Sequence, residues 1–261
     1  MNNQSRKYYI NEFGISDRIL DISSEIEKEI GDIVRKIDST REFNQIKVIR
    51  AMQKNKLSDS HFAGTTGYGY NDRGREVLDA VYADVFNTED ALVRHQIVSG
   101  THALAVSMFG VLRPGDELLS VTGKPYDTLE EVIGIRGEGE GSLKDFGISY
   151  RQVDLLPDGN MDFEGIRRAI NEKTRLVLIQ RSRGYGWRPP INIERIAKAV
   201  ALIKSIKKNA VVLVDNCYGE FVESKEPTEV GADLVAGSLI KNVGGGIAPT
   251  GGYIAGKAEY V

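Results

Sequence analysis

The stretch RLVLIQRSRGYGWRPPINIERIAKAVALIKSIKKNAVVLVDN, residues 175–216, decides the fold. It holds two short apolar runs, 176–179 and 211–214, rich in β-branched residues and free of polar alternation. Strands of that composition are buried on both faces, as parallel strands covered by helices are. Between them Ile193, Ile196, Val200 and Ile203 recur at steps of three and four, the period of one helix face. Strand, helix and strand in that order predict a βαβ unit within an α/β domain.

The alternation continues toward the N-terminus. Residues 91–98 precede the helical THALAVSMFGVL, 117–121 precede DTLEEVIG, and 148–155 precede MDFEGIRRAI. These runs predict a three-layer α/β large domain with a mostly parallel sheet over residues 61–261. Ahead of it Ile19, Ile22, Ile26, Ile30, Ile33 and Ile37 form an apolar stripe on one long helix, with Ser16 as its N-cap. A second helical stretch covers 43–52, so residues 1–60 read as an N-terminal helical arm. The stripe is expected to pack within the chain, with a subunit interface as the other use. HFAGTTGYGYNDRGR, residues 61–75, reads as an ordered loop, and RGEGEGS, 136–142, as a solvated turn.

Composition narrows the function classes. The 261 residues are 41% hydrophobic and 27% charged, a globular balance that excludes disorder. A net charge of −3 gives no field for nucleic acid or anionic lipid. The single cysteine, Cys217, excludes an internal disulfide and a cysteine-held zinc or iron–sulfur centre. Residues 1–20 lack an apolar secretory core, and no run of eighteen apolar residues occurs, so a cytoplasmic protein without a membrane span is expected.

In open parallel sheets ligands gather at the carboxyl ends of the strands. Four polar stretches follow apolar runs: Ser99-Gly100-Thr101, Gln180-Arg181-Ser182-Arg183, Asp215-Asn216-Cys217-Tyr218, and Ser238-Leu239-Ile240-Lys241. The first is either ordinary tight-turn chemistry or a helix start that binds phosphate. Asp215, ending a buried run, is either a structural cap or ion pair or an acid that awaits a cationic ligand. Lys241, between apolar residues and a glycine run, is either a surface amine or a desolvated one able to form a Schiff base. An amine, an anion and phosphate donors together match what pyridoxal phosphate requires.

The stretches GTTGYGYNDRGR, ALVRHQIVSGTHA, LRPGDELLSVTGKPYDTLEEVIG, LIQRSRGYGWRPP, VLVDNCYGEFVE and GADLVAGSLIKNVGGGIAPTGGYIAG span residues 64–256. In order and spacing they resemble the fold-type I pyridoxal-phosphate enzymes of cysteine and methionine metabolism. The resemblance is strongest to the methionine gamma-lyase or cystathionine beta-lyase-like branch, often called aluminium resistance proteins. It implies that Lys241 carries the cofactor and shuttles protons, while Asp215 pairs with the ring nitrogen. It also implies that Gly100, Thr101 and Ser238 hold the phosphate and that Tyr126 stacks on the ring. Tyr70 and Arg73 resemble a pair that a neighbouring subunit lends to the same phosphate, which implies a homodimer or homotetramer. The implied activity is carbon–sulfur lysis of a cystathionine- or methionine-like substrate by β- or γ-elimination.

The chain departs from that pattern in places. Ile240 stands where a hydroxyl residue is usual, and the Tyr–Arg spacing is one residue longer, so Arg75 is a possible substitute for Arg73. Ser182 and Arg183 are both candidates for the cofactor's phenolic oxygen. Cys217, beside Asp215, reads as a packing residue rather than a nucleophile. Twenty residues follow Lys241, whereas the resemblance implies a C-terminal small domain with an arginine for the substrate carboxylate. That domain is expected to be missing, and the second reading is a truncated, catalytically impaired cofactor-binding fragment acting through association. A third class, nucleotide binding, rests on GxxxxGK at 251–257, but Ala258 stands where the motif needs Ser or Thr for magnesium.

Overall fold

The computed structural model describes residues 2–65, 68 and 70–261. Three helices lead the chain: α1 (Asn3–Phe13), α2 (Asp17–Glu29) and α3 (Gly31–Lys54). The single long helix expected from the isoleucine stripe is therefore two. It breaks at Ile30, immediately before Gly31, whose lack of a side chain makes continuation least favourable. Ser16 does occupy the N-cap position of α2, but its side chain makes no capping bond. The second helical stretch, 43–52, is the end of α3. Part of the loop expected at 61–75, namely Thr66, Gly67 and Gly69, lies outside the described residues.

The large unit follows as α4 (Arg73–Phe86), β1 (Asp90–Arg94), α5 (Gly100–Val111), β2 (Glu117–Ser120), α6 (Asp127–Ile133) and β3 (Ser149–Gln152). It continues with α7 (Phe163–Ala169), β4 (Thr174–Gln180), α8 (Ile193–Ile206), β5 (Val211–Asp215), β6 (Leu234–Ser238) and β7 (Gly252–Gly256). The seven strands form one sheet in the order β1-β7-β6-β5-β4-β2-β3. Strands β3, β2, β4, β5 and β6 run parallel, and β7 is antiparallel to both β6 and β1. Sequence reading missed β7, because GYIAG carries a glycine at each end. Those glycines serve close strand approach: a Cβ on Gly256 would lie 2.2 Å from the carbonyl oxygen of Asp233.

Alternate residues of the inner strands face opposite layers. Val177, Ile179, Val212 and Val214 join one apolar cluster with Ile196 and Ile203 of α8 and Val85 of α4. Leu176, Leu178, Val211 and Leu213 join a second with Leu104 and Met108 of α5 and Ile133 of α6. Removing such side chains from water on both faces drives this arrangement, at roughly 1.5–3 kcal/mol for each fully buried Val or Leu. Caps set the helix starts: the side chain of Asn192 accepts from the Arg195 N–H at 3.0 Å, and that of Asp162 from the Gly165 N–H at 2.8 Å.

The expectation that the isoleucine stripe packs within the chain is corrected. Ile19, Ile22, Ile26, Ile30, Ile33 and Ile37 are each between 41% and 62% exposed. Helices α2 and α3 meet the rest of the chain through other faces, with Leu20, Asn44 and Ala51 buried. Among the described residues, no helix is long and apolar enough to cross a membrane.

Candidate active site

Parallel strands deliver their carboxyl ends to one edge of the sheet, and there a cavity of about 190 Å³ opens between β5, β6 and the start of α5. Asp215, Ser238, Lys241, Gly100, Thr101, Tyr126 and Ser182 all line it. Seven of the sequence-predicted residues, separated by up to 141 positions, thus share one space.

Asp215 ends β5 and is buried. Its Oδ1 accepts the N–H of Cys217 at 3.1 Å, and among the described residues it has no basic side chain as partner. Burial pushes its carboxyl up to about 6. A buried acid without a cation is costly to ionise, so the position favours a ligand that presents a protonated nitrogen. Cys217 lines the same wall, and burial together with the Asp215 carboxylate pushes its thiol well up, away from a reactive thiolate.

Helix α5 begins against this acid. The Ser99 Oγ accepts the His102 N–H at 3.1 Å, while N–H groups of the first turn have no partner within a helix. Gly100 brings that turn in close: a Cβ there would stand 2.9 Å from the Cys217 sulfur and 3.3 Å from the Ser238 Cβ. The Thr101 hydroxyl meets that of Thr128 at 2.6 Å. A helix start with small and hydroxyl neighbours is an anion cradle.

Lys241 follows β6, its N–H donating to the Ser238 carbonyl at 3.2 Å. Its Nζ donates to the Tyr218 hydroxyl and lies 4.2 Å from the centre of that ring. Tyr126 precedes α6, and its hydroxyl donates to that of Tyr185 at 3.1 Å across two stacked rings. That bond and partial burial push the Tyr126 hydroxyl up to about 12. Tyr218 and Tyr185 were not singled out from sequence. The +3 spacing of Tyr218 from Asp215 was the available signal for the first. For Tyr185, only its place in the glycine-rich RSRGYGWRPP loop pointed the same way.

Other candidates stand elsewhere. Arg183 is stacked over the Trp187 ring at 5.6 Å and does not line the cavity, because its side chain finds that aromatic face on the exposed loop. Tyr70 and Arg73 are exposed and also lie outside the cavity of their own chain. Arg75 is bound to Asp72 at 2.8 Å, and the hydrogen bond from Thr65 holds that carboxyl below its usual range. Lys257 of the GxxxxGK match pairs with buried Asp233 at 2.7 Å. Gly256 lies opposite Leu234, so Lys257 sits at the far end of β6 from Ser238 and belongs to the structure of the sheet. A larger apolar hollow of about 840 Å³ between α3 and Phe221 and Val222 has no carboxylate in its lining.

The residues fit pyridoxal phosphate. An amine, a buried carboxylate with no basic partner among the described residues, a helix-start cradle that only glycine permits, and an aromatic ring converge on one cavity.

The chain is 56% identical over 238 residues to the uncharacterized protein YnbB of Bacillus subtilis, covering 91% of this chain and 56% of that protein. It superposes on a carbon-sulfur lyase involved in aluminum resistance from Clostridium novyi with a TM-score of 0.94 and 52% identity, covering all of this chain and 62% of that one. The pyridoxal-5'-phosphate dependent protein YhfS of Escherichia coli shares the fold, with a TM-score of 0.65 and 19% identity over 86% of this chain and 56% of that one. The chain spans less than two thirds of the length of YnbB and of the Clostridium protein. The chain has the α/β fold of the fold-type I pyridoxal-phosphate enzymes, and the methionine gamma-lyase family model matches residues 19–261, so the chain belongs to that family.

Proposed function

We propose that this chain forms the cofactor-binding part of a cytoplasmic, pyridoxal-phosphate-dependent carbon–sulfur lyase. Its substrate in this reading is a cystathionine- or methionine-like sulfur amino acid, cleaved by β- or γ-elimination. The observation that carries the reading is the shared cavity of Asp215 and Lys241 beside the start of α5. When bound, pyridoxal phosphate supplies an aldehyde for an amine and a ring that withdraws electrons from the carbon attached to that amine.

The protein's own groups divide the remaining work. Asp215 holds the proton on the ring nitrogen, and that charge offsets the cost of its own burial. Lys241 would be the amine that holds the cofactor and the group that would move the α-proton. Tyr218 keeps the free amine on the cavity side. Gly100, Thr101 and Ser238 hold the phosphate, with the α5 dipole adding to their hydrogen bonds. Tyr126 would stack on the ring, and Ser182 or Arg183 would meet the phenolic oxygen; of these two, Ser182 lines the cavity. Tyr70 and Arg73 reach the phosphate of a neighbouring subunit in a homodimer or homotetramer, whose contact surface includes the exposed isoleucine stripe. The arm, 1–60, and the large domain, 61–261, divide those tasks.

A second reading is a chain that binds the cofactor and acts through association, with little turnover. A spectral titration with pyridoxal phosphate tests the main one: the wild-type chain gains a visible band, and Lys241→Ala does not. No band in either would overturn it. Release of an oxoacid from cystathionine or methionine then separates turnover from binding alone.

A further inference from the structure

We propose that Arg181 is a positioning residue for the Lys241 amine: its buried guanidinium knots the turn after β5 so that Tyr218 is held against that amine. Arg181 directly follows β4 and is only 2% exposed. Its Nη1 donates to the Asn216 Oδ1 at 2.9 Å and to the Gly219 carbonyl at 2.6 Å, and its Nη2 donates to the Glu223 Oε1 at 2.7 Å. Asn216 donates onward to the Glu226 Oε2 at 3.0 Å, and the other oxygen of Glu226 accepts the Phe221 N–H at 2.9 Å. A buried cation is tolerated when carboxylates and carbonyls partner it this fully.

The turn depends on such a clamp. Tyr218 and Phe221 have φ of +65° and +64°, a backbone region that residues with a Cβ adopt only when surroundings impose it. Gly219 lies between them with the guanidinium seated on its backbone; a Cβ there would come within 2.4 Å of the Arg181 Cδ. The segment carrying Lys241 leans on the same turn, since Asn242 donates to the Glu220 carbonyl at 2.9 Å. Arg181 touches neither Lys241 nor the cavity, yet it ties the end of β4 to the turn that presents Tyr218. The chemical use of this clamp rests on the role proposed for Lys241; the clamp itself does not.

The test reads the amine without any cofactor, so its failure is separate from a failure of cofactor binding. The full chain is treated with a small acylating reagent, and labelling of Lys241 is measured by peptide mass relative to surface Lys198 in the same sample. Arg181→Lys, which keeps the charge and loses the fork, changes that ratio about threefold or more, in the same direction as Tyr218→Phe. Adding Arg181→Lys to Tyr218→Phe brings no further change. If Arg181→Lys does not fold, Gly219→Ala displaces the guanidinium from the other side and gives the same shift. A lowered melting temperature with a wild-type ratio in both Arg181→Lys and Gly219→Ala would overturn the proposal. Additive effects of Arg181→Lys and Tyr218→Phe, or no effect of Tyr218→Phe, would overturn it as well.

Discussion

The hydroxyl of Tyr126 donates to that of Tyr185 at 3.1 Å, and their ring centres lie 5.7 Å apart at an interplanar angle of 27°. Tyr126 lines the cavity, whereas Tyr185 is 83% exposed on the loop after β4. The outer ring therefore braces the inner one. Tyr185→Phe keeps the stack and loses a hydrogen bond worth about 0.5–1.5 kcal/mol at most, given its exposure. Affinity for pyridoxal phosphate, followed by fluorescence titration, should fall about two- to five-fold, and further in Tyr185→Ala, where the aromatic pair is lost too. Unchanged affinity in both variants would show that Tyr126 needs no brace.

Asp215 makes a prediction of opposite signs. Its carboxyl is raised to about 6 by burial, above the usual 3.8. Well below pH 3.8 both folded and unfolded forms are protonated, and the ionisation cost vanishes. As pH rises toward 6 the unfolded chain releases its proton first, so stability falls until the folded group ionises as well. Asp215→Asn should thus stabilise the cofactor-free protein near neutral pH by up to about 3 kcal/mol, with the gain shrinking to about 0.5 kcal/mol near pH 4. The same variant should lose most of its cofactor affinity. Thermal melts of both proteins across pH 4–8 read the first effect; a destabilised Asp215→Asn at pH 7 would mean that the acid serves the fold.

Asp233 is the structural counterpart. It is buried, yet Lys204 at 2.5 Å, Lys257 at 2.7 Å and the Val212 N–H at 2.8 Å surround it. Burial alone would raise its carboxyl, but the bonds from Lys204 and Lys257 hold it below its usual range. Its stabilising contribution is therefore present at neutral pH and lost as pH falls through that lowered value. Asp233→Ala strips the carboxylate from Lys204, which keeps its bond to the Ala210 carbonyl, and from half-exposed Lys257, and it leaves the Val212 N–H unpaired, so it should cost about 1–3 kcal/mol in denaturant unfolding. Cofactor affinity of the folded fraction should stay within about twofold, because the site lies at the other end of β6; a larger loss would contradict that separation.

The isoleucine stripe gives a fourth test. Ile33→Glu with Ile37→Glu removes no buried contact in the single chain, so the monomer's stability should change by no more than about 0.5 kcal/mol per site. Sedimentation velocity should show the wild-type chain as a dimer or larger and the double variant as a smaller species. Equal masses would remove the stripe from the subunit contact.

The strand-end residues were legible because parallel strands place their carboxyl ends together. Asp215 after VVLV and Ser238 after DLVAG needed only the direction of the strands to become neighbours. Gly100 was legible for the same reason, as a small residue where a strand gives way to a helix. What stayed hidden depends on contacts between distant segments. Strand β7 pairs with β1 across more than 150 residues, and nothing in GYIAG marks it as a strand before its partners are known. Tyr218 reaches Lys241 through a left-handed backbone step that its own residue type does not favour. Arg181 finds its partners 35 to 42 positions downstream. The exposure of the isoleucines was misjudged because periodicity records that a helix has an apolar face, while the surface that covers it is a matter of tertiary and quaternary packing.

The central claim is that Lys241 is the amine that takes the cofactor. Incubating the chain with pyridoxal phosphate, reducing the product with borohydride and digesting it locates the joined lysine by mass. The account predicts the pyridoxyl mass on the peptide containing Lys241, diminished in Asp215→Ala. Modification confined to other lysines, or scattered equally among them, would contradict it.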